Sequence, residues 1–361
     1  MTTRRGSWTC VFCFSLACGL SQQQAPPKQF APTPSVQPGG APRQVTLDVV
    51  VSDKSGSAIT GLKQENFTIL DNKCRQKIVS FHAVEGVTAA PDPPVEVILV
   101  VDEINTPFTR LASERTEIER FLRQNNGVLA RPLSMAFLSD AGMTVGNAPS
   151  QDGNAAIADL NRNRSGLRVL GRSLEPSALF DRMQSSLRAL TQLANDEEAK
   201  AGRKLVVWIS PGWPFIFSMP VETSRDKQTL FNAHVTLSNA LRRARITLYS
   251  IDPFGLANMV TGETSYYKQF LTPLRTAKQA ETGHLALQVL ASHSGGLVFN
   301  SSNDVAGEIA ACVADANTFY VLSYDGLTGT APDEHHAIEI KLDKPGFAAR
   351  TRVGYYAQSE R

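Results

Sequence analysis

The stretch VEVILVVDEINTPF, Val95 to Phe108, decides the fold class of this chain. Its first seven residues are apolar except for Glu96, and they are followed directly by Asp102. A short run that is rich in β-branched residues and lacks alternation predicts a central parallel strand with helices on both faces. Ligands of open α/β sheets bind beyond the carboxyl ends of such strands. The polar residues at this predicted position are Asp102, Glu103, Asn105 and Thr106.

Similar apolar runs recur downstream, and segments with helical periodicity separate them. The further strands are predicted at LSMAFLSD (133–140), LVVWIS (205–210), ITLYSID (246–252) and LVFN (297–300). Helices are predicted at 110–124, 152–161, 177–201, 225–245, 284–294 and 304–316. Strands that alternate with helices in this way indicate an α/β domain with a doubly wound, mostly parallel sheet, which we place at residues 94–317.

Two flanking segments have the alternation and turn residues of antiparallel strands. The first covers residues 44–88 and includes VTLDVVVSD, AITGL, ENFTILDN and QKIVSFHAV. The second covers residues 318–357 and includes TFYVLSYD, AIEIKLD and ARTRVGYYA. The economical interpretation is one small β-sandwich domain with the α/β domain inserted into it. Two independent β units are the alternative.

The N-terminus has the layout of a secretory signal peptide, which we place at residues 1–21. Arg4 and Arg5 precede an apolar run from Trp8 to Ala17, which is too short to cross a bilayer. Residues 22–43 are rich in Gln, Pro and Gly and predict a disordered tether. We therefore expect an extracytoplasmic location: periplasmic, envelope-associated or secreted. A lipid anchor at Cys18 is the alternative to simple export and would be the protein's only link to a membrane.

Charge and cysteine content narrow the expected partners and chemistry. The formal net charge is +2, and it becomes zero without Arg4 and Arg5, so no field for nucleic-acid binding is expected. Two cysteines, Cys74 and Cys312, lie in the predicted folded body. In an exported protein such a pair can form a disulfide, and two buried free thiols are the alternative.

Several stretches, in order, resemble the von Willebrand factor A-like fold, and in particular its secreted bacterial subgroup known as the VWFA-related acidobacterial domain. They are VTLDVVVSDKSGSAITGLKQENFTILDN, VILVVDEINTPF, RKLVVWISPGWP, LYSIDPFGL, LASHSGGLVFN, FYVLSYD and RVGYYA. This resemblance covers most of the chain from Gln44 to Ala357. It implies an α/β domain that binds a macromolecule at the carboxyl ends of its strands, often with the help of a divalent cation.

The resemblance also implies a metal-ion-dependent adhesion site, built from an Asp-x-Ser-x-Ser loop, a hydroxyl on a second loop and an Asp on a third. The matching metal ligands here are Asp102, Thr106 and Ser150. Ile104 stands where the first Ser belongs, and Pro211 stands where the third-loop Asp belongs. Too little ligand charge remains to dehydrate a cation, so we expect a degenerate site that holds Mg²⁺ or another divalent cation weakly. No other cofactor is expected.

Motif searches leave binding as the leading function. The chain lacks the Gly-x-Ser-x-Gly elbow and the Gly-rich phosphate loops, so we predict a non-enzymatic protein that binds an unidentified protein or envelope macromolecule. The predicted partner-binding face consists of Glu103, Asn105, Ser210, Trp213 and Phe215. The aromatic residues 213–217 are expected either to form an exposed recognition surface or to pack as a lid. An enzyme with an unrecognised site on the same face is the alternative function.

Four histidines could be considered for a metal or acid–base site, but their positions in the sequence favour plainer roles. The adjacent pair His335 and His336 would point to opposite faces of an extended strand, so a solvated turn is predicted rather than a metal site. His284 and His293 lie nine residues apart on a predicted helix, which does not bring their side chains together. They are predicted to be cap or surface residues.

Overall fold

A computed structural model describes residues 44–86, 94–163, 175–213, 223–255, 263–327, 329 and 331–357. The expected signal peptide, the tether, Cys18 and Phe215 lie outside the described residues. Among the described helices, none combines the length and the apolar character that crossing a bilayer requires.

The elements follow one another as the sequence pattern indicated, with strands at both ends and alternating strands and helices between them. The first strands are β1 (Gln44–Ser52), β2 (Phe67–Asp71), β3 (Cys74–Gln76) and β4 (Ile78–Glu85). The middle strands are β5 (Val95–Asp102), β6 (Val128–Ser139), β7 (Gly142–Val145), β8 (Ser150–Asp152), β9 (Arg203–Ile209), β10 (Ile246–Ile251) and β11 (Val298–Phe299). The last strands are β12 (Thr318–Asp325), β13 (Glu334–Leu342), β14 (Ala348–Arg350) and β15 (Gly354–Ala357). The described α-helices are α1 (Phe108–Leu122), α2 (Gly153–Arg162), α3 (Pro176–Glu198), α4 (Ser224–Arg243), α5 (Leu287–Ser294) and α6 (Val305–Ala314).

The central sheet is mostly parallel, as the apolar runs predicted. Its order is β11-β10-β9-β5-β6-β7, and β8 also pairs with β6. The pairs from β11 through to β6 are parallel, whereas β7 and β8 run antiparallel to β6. The chain passes from β5 to β6 on one side and then crosses to β9 on the other side of β5. This change of direction makes the carboxyl ends of β5 and β9 the topological switch point of the sheet.

Strand β5 is buried on both faces because its side chains alternate between two apolar cores. Val97, Leu99 and Val101 belong to the core that α1 and α6 cover. Ile98 and Val100 belong to the core that α3, α4 and α5 cover. The absence of polar alternation in the sequence of this strand therefore has its expected physical cause.

The antiparallel strands form two further sheets, with orders β14-β1-β12-β4 and β15-β13-β2-β3. Strands from before and after the α/β region occur in both sheets, and β1 pairs with β12 from Gln44 opposite Asp325 to Val49 opposite Tyr320. Side chains of both sheets share one apolar core, which includes Leu47, Ile69 and Tyr320. The neighbouring residue Phe319 points the other way, into the core beneath α1 and α6. Strand β12 is thus buried on both faces, between the second sheet of the sandwich and the α/β region.

The histidine predictions are wrong in part. His335 and His336 do not form a solvated turn: both are buried in β13, at 8 % and 2 % exposure. Nδ1 of His336 donates a 2.8 Å hydrogen bond to Oδ1 of Asp71, a contact that the sequence separation hid. His284 is buried rather than on the surface, but it is a cap residue as predicted, because its Nδ1 accepts a 3.2 Å hydrogen bond from the backbone N–H of Glu281. His293 is half-buried, and both rings pack against His234 of α4.

The structure also corrects the predicted bridge between Cys74 and Cys312, since both are free thiols. Cys74 is exposed on β3, which lies at the end of its sheet. Cys312 is fully buried in the core between α6 and the central sheet, and burial raises the pKa of its thiol well above the usual range. The two residues belong to different layers of the fold, so joining the strands in one sandwich does not bring their side chains together.

Candidate functional site

The carboxyl end of β5 carries a carboxylate that is completely enclosed by protein. Asp102 has 0 % exposure, and by the alternation of β5 it lies on the side of the sheet that α3 and α4 cover. Trp208, on the neighbouring strand β9, is also fully buried on this side. The indole Nε1 of Trp208 donates a 2.9 Å hydrogen bond to Oδ2 of Asp102.

Asn105 supplies most of the other hydrogen bonds to Asp102. Its backbone N–H donates to Oδ1 at 3.1 Å, and its side-chain amide donates to Oδ1 at 3.0 Å and to Oδ2 at 2.8 Å. The same amide reaches Oγ of Ser186 on α3 at 2.9 Å. Ser210, which follows β9, also hydrogen-bonds Asp102. Both carboxylate oxygens are therefore occupied by donors of the protein itself.

A second buried carboxyl group, that of Glu114 on α1, lies close enough to Asp102 for the charge of Asp102 to affect the pKa of Glu114. Glu114 is 1 % exposed, and burial together with the Asp102 charge raises its pKa well above the usual range, although the Thr106 hydroxyl acts in the opposite direction. Burial likewise raises the pKa of Asp102, against the effect of its hydrogen bonds to Asn105, Trp208 and Ser210. Two acidic groups that share a desolvated region favour the state in which a proton neutralises one of them.

Sequence reasoning missed Glu114. The surrounding sequence SERTEIER contains four other charged residues, as an ordinary exposed helix does, so nothing local distinguishes Glu114 from them. The available signal was its position: it lies on the helix that directly follows the strand ending in Asp102. That position does not fix on which face of the helix Glu114 lies.

The predicted partner-binding residues are internal. Glu103 points to the opposite side from Asp102 and forms a 2.5 Å ion pair with Arg115 of α1, its side chain being 6 % exposed. Ser210 and Asn105 are buried at 0 % and 8 % exposure. Trp213 is 3 % exposed and packs edge-on against Trp208, with ring centroids 5.5 Å apart. Trp213 therefore packs onto the protein, as the lid interpretation predicts, and is not part of an exposed recognition surface.

Ser150 does not belong to the site, contrary to its predicted role as a metal ligand. It pairs with Leu133 of β6, and Leu133 pairs with Val97 at the start of β5. Asp102 pairs with Leu138, which lies five residues further along β6. At about 3.3 Å per residue the two positions are separated by ~16 Å along the strands. The register therefore excludes a shared cation.

The described residues do not fit a metal ion at Asp102. A hard cation needs several oxygen ligands with free lone pairs, whereas both oxygens of Asp102 accept hydrogen bonds from N–H donors. Ile104 contributes no ligand atom, and Ser150 is remote. Throughout the ranges that the structure describes, no group of three or more His, Cys, Asp or Glu residues could hold a metal ion.

We predict that divalent cations leave the protein unchanged. Calorimetric titration with Mg²⁺, Mn²⁺ or Ca²⁺ should show no saturable heat below about millimolar concentration. The midpoint of thermal unfolding should shift by less than about 1 °C, because a ligand stabilises the folded protein only when its concentration approaches or exceeds its Kd. Micromolar binding that Asp102→Ala abolishes would contradict this prediction.

The Asp-x-Ser-x-Ser pattern of the adhesion site does occur in this chain, but elsewhere, at Asp53-Lys54-Ser55-Gly56-Ser57. There Oδ1 of Asp53 accepts hydrogen bonds from the backbone N–H groups of Ser55 and Ser57 and from the Ser55 hydroxyl. The pattern thus closes an exposed turn after β1, as Asp and Ser commonly do. It is not part of the carboxyl-end site.

A cavity of about 380 Å³ lies between the first half of α1 and the loops that follow β10 and β11. Its lining includes Arg110, Glu114, Phe254 and Asn303. The guanidinium of Arg110 lies over the ring of Phe254, 5.3 Å from its centroid. Phe108, the first residue of α1, is 45 % exposed. We call the surface formed by Phe108, Arg110, Phe254 and Asn303 the carboxyl-end rim.

Comparison with known proteins adds little at this point. No protein-family model and no curated protein sequence matches the chain. Among solved structures, the human COPII-coat protein Sec24c is similar, at 9 % identity and a TM-score of 0.30. The match covers 77 % of this chain and 46 % of Sec24c, so this chain spans less than half of that protein. A likeness at this level carries no argument about function.

Proposed function

We propose that this protein is an extracytoplasmic binding module with a von Willebrand A-like domain, and that it attaches to a partner protein through the carboxyl-end rim without a metal ion. The observation that carries the proposal is the enclosed carboxylate. Asp102 is saturated by hydrogen bonds and covered, so contact with a partner falls to the residues around it. The rim offers an exposed Phe and an Arg, residue types that are enriched in protein interfaces.

Quantitative affinity capture from envelope extracts tests the proposal with a matched pair of variants. Phe108→Ser removes the exposed ring of the rim, and Val79→Ser removes a similarly exposed apolar side chain, 51 % exposed, from β4 of the sandwich. A specific partner should fall at least fivefold with Phe108→Ser and stay unchanged with Val79→Ser. Partners that are retained equally by both variants would rule out the rim.

An enzyme with its site in the same cavity is the second candidate, and Glu114 is the observation that favours it. A buried carboxyl with a raised pKa beside a cavity is typical of acid–base catalysts. However, the described lining of this cavity contains neither His nor Cys to act with it. Incubating small-molecule extracts with the unmodified protein and with Glu114→Gln separates the candidates: a chemical change that only the unmodified protein produces supports the enzyme.

A further inference from the structure

A second concave surface lies between the sandwich and the α/β region. We call it the junction groove, and its volume is about 800 Å³, within the range of small-molecule sites. The turn between β2 and β3, the first half of α4, the stretch from Arg275 to Ala277 and the beginning of β13 form its walls. The ionisable residues that line it are Lys73, Arg275, Asp333, Glu334 and His335.

His335 is the buried polar side chain of this groove. It is 8 % exposed, and its Nδ1 has no hydrogen-bond partner among the described residues. The imidazole packs against the ring of Tyr356 at 5.2 Å and against Gly354. A Cβ at Gly354 would lie 2.5 Å from Nε2 of His335, so the glycine makes room for the imidazole. A buried ring nitrogen without a partner costs free energy that a ligand acceptor or donor can recover.

The charges around His335 favour an anion. Burial lowers the pKa of His335 to about 4, and Arg275 is the charged group that contributes most to this effect. Asp71 has the opposite effect on the pKa of His335, and its carboxylate already accepts hydrogen bonds from Tyr324, Tyr355 and His336.

The groove carries acidic as well as basic side chains. Asp333 and Glu334 also line it, and burial raises the pKa of Asp333, which favours the neutral form of its carboxyl group. Lys73 and Arg275 are both exposed at the rim of the groove, so their charges are accessible to a ligand. The groove therefore combines two accessible cations and two carboxyl groups with a buried nitrogen that lacks a partner.

We propose that the junction groove binds a ligand that carries a carboxylate. The guanidinium of Arg275 and the ammonium of Lys73 supply the charge, and the imidazole of His335 supplies a hydrogen bond at the floor. Phe231, Ala277 and Ala337 give the groove an apolar wall against which the remainder of the ligand packs. This site is separate from the carboxyl-end rim and does not depend on the function proposed for it.

A pair of probes that differ only in the carboxylate tests the proposal on the full chain at pH 7. N-acetyl-trialanine carries one negative charge, and its C-terminal amide carries none. With ¹⁵N-labelled histidine, the imidazole signal of His335 should shift on addition of the acid, with a Kd at least tenfold below that of the amide. Equal affinity for the two probes, or binding of neither, would overturn the proposal.

Variants locate the binding. Arg275→Gln should weaken binding of the acid at least tenfold and leave binding of the amide unchanged. The control is Arg123→Gln, which removes another exposed guanidinium, 61 % exposed, directly after α1. His335→Gln also identifies the imidazole signal, and if that variant fails to fold, the Arg275 and Arg123 variants still decide. Equal affinity of these two variants for the acid would refute the role of Arg275.

Discussion

When the pH is lowered from 7 to 5, the free energy of unfolding should fall by about 2 kcal/mol less in the variant His234→Gln than in the unmodified protein. His234 is 1 % exposed, and burial lowers its pKa to about 3, with His293 and His284 adding to the effect. Below its ordinary pKa of 6.5 the unfolded chain binds a proton that the folded protein cannot accept. Stability is therefore lost as the pH falls from about 6.5 towards 3.

The packing explains why His234 stays neutral. Its ring lies 6.0 Å from that of His293 and 6.4 Å from that of His284, and its Nδ1 is 3.0 Å from the carbonyl oxygen of His284. The ring of Tyr356, on β15, also packs against that of His234, with the ring centroids 5.8 Å apart. A charge on His234 would be desolvated and would repel any second charge on its neighbours. His335, whose pKa is also lowered, lies within electrostatic range.

Urea unfolding at pH 7, 6 and 5 measures the effect. His82 on β4 is exposed, so His82→Gln is the control and should follow the unmodified protein at each pH. The dependence on pH is the quantity to compare, because His234→Gln also changes packing at every pH. A slope equal to that of the unmodified protein would contradict the prediction.

Glu308 provides a comparison of opposite sign. It is 7 % exposed, and burial, with Asp304 and Asp252, raises its pKa to about 7. The folded protein therefore binds a proton between pH 7 and about 4.5 that the unfolded chain does not, which adds stability as the pH falls. The variant Glu308→Gln lacks this gain. When the pH is lowered from 7 to about 4.5, the free energy of unfolding of the variant should therefore fall by about 1 to 2 kcal/mol more than that of the unmodified protein, once solvent screening is allowed for.

Local sequence was sufficient to predict the mostly parallel sheet. The run from Val95 to Val101 lacks polar alternation because both faces of β5 are covered, and this signal is contained within the strand itself. The same holds for the apolar runs of β9 and β10, whose described residues are all buried. The antiparallel strands were indicated by their turn residues. The finer identification as a von Willebrand A-like fold stays a prediction.

The site could not be predicted because it depends on contacts between distant residues. Trp208 in the sequence is one more apolar residue of a buried strand, yet its indole N–H is a hydrogen-bond donor to Asp102. Ser150 was assigned by order along the chain, and only the register of β6 and β8 shows that it lies elsewhere. His336 likewise looked like a turn residue until its pairing with Asp71, 265 residues away, was known.

Replacing Asn105 by alanine should destabilise the protein by about 3 kcal/mol at pH 7, since hydrogen bonds to charged groups contribute about 1.5 to 3 kcal/mol each. The side-chain amide donates to both oxygens of Asp102 and to Ser186. The amide oxygen of Asn105 accepts no hydrogen bond from the described residues, so the lost donors account for the effect. Urea unfolding at pH 7 measures it.

Asn66→Ala is the matched control, because the amide of Asn66 also donates to both oxygens of a carboxylate, Asp343, but at an exposed position. Water replaces the lost donor there, so its cost should stay below about 1 kcal/mol. The pH dependence gives a further check. Without Asn105 the pKa of Asp102 should rise further, and protonation then relieves the unpaired buried charge. The cost of Asn105→Ala should therefore be smaller at pH 5 than at pH 7, and an equal cost at both would show that the amide stabilises the fold by packing alone.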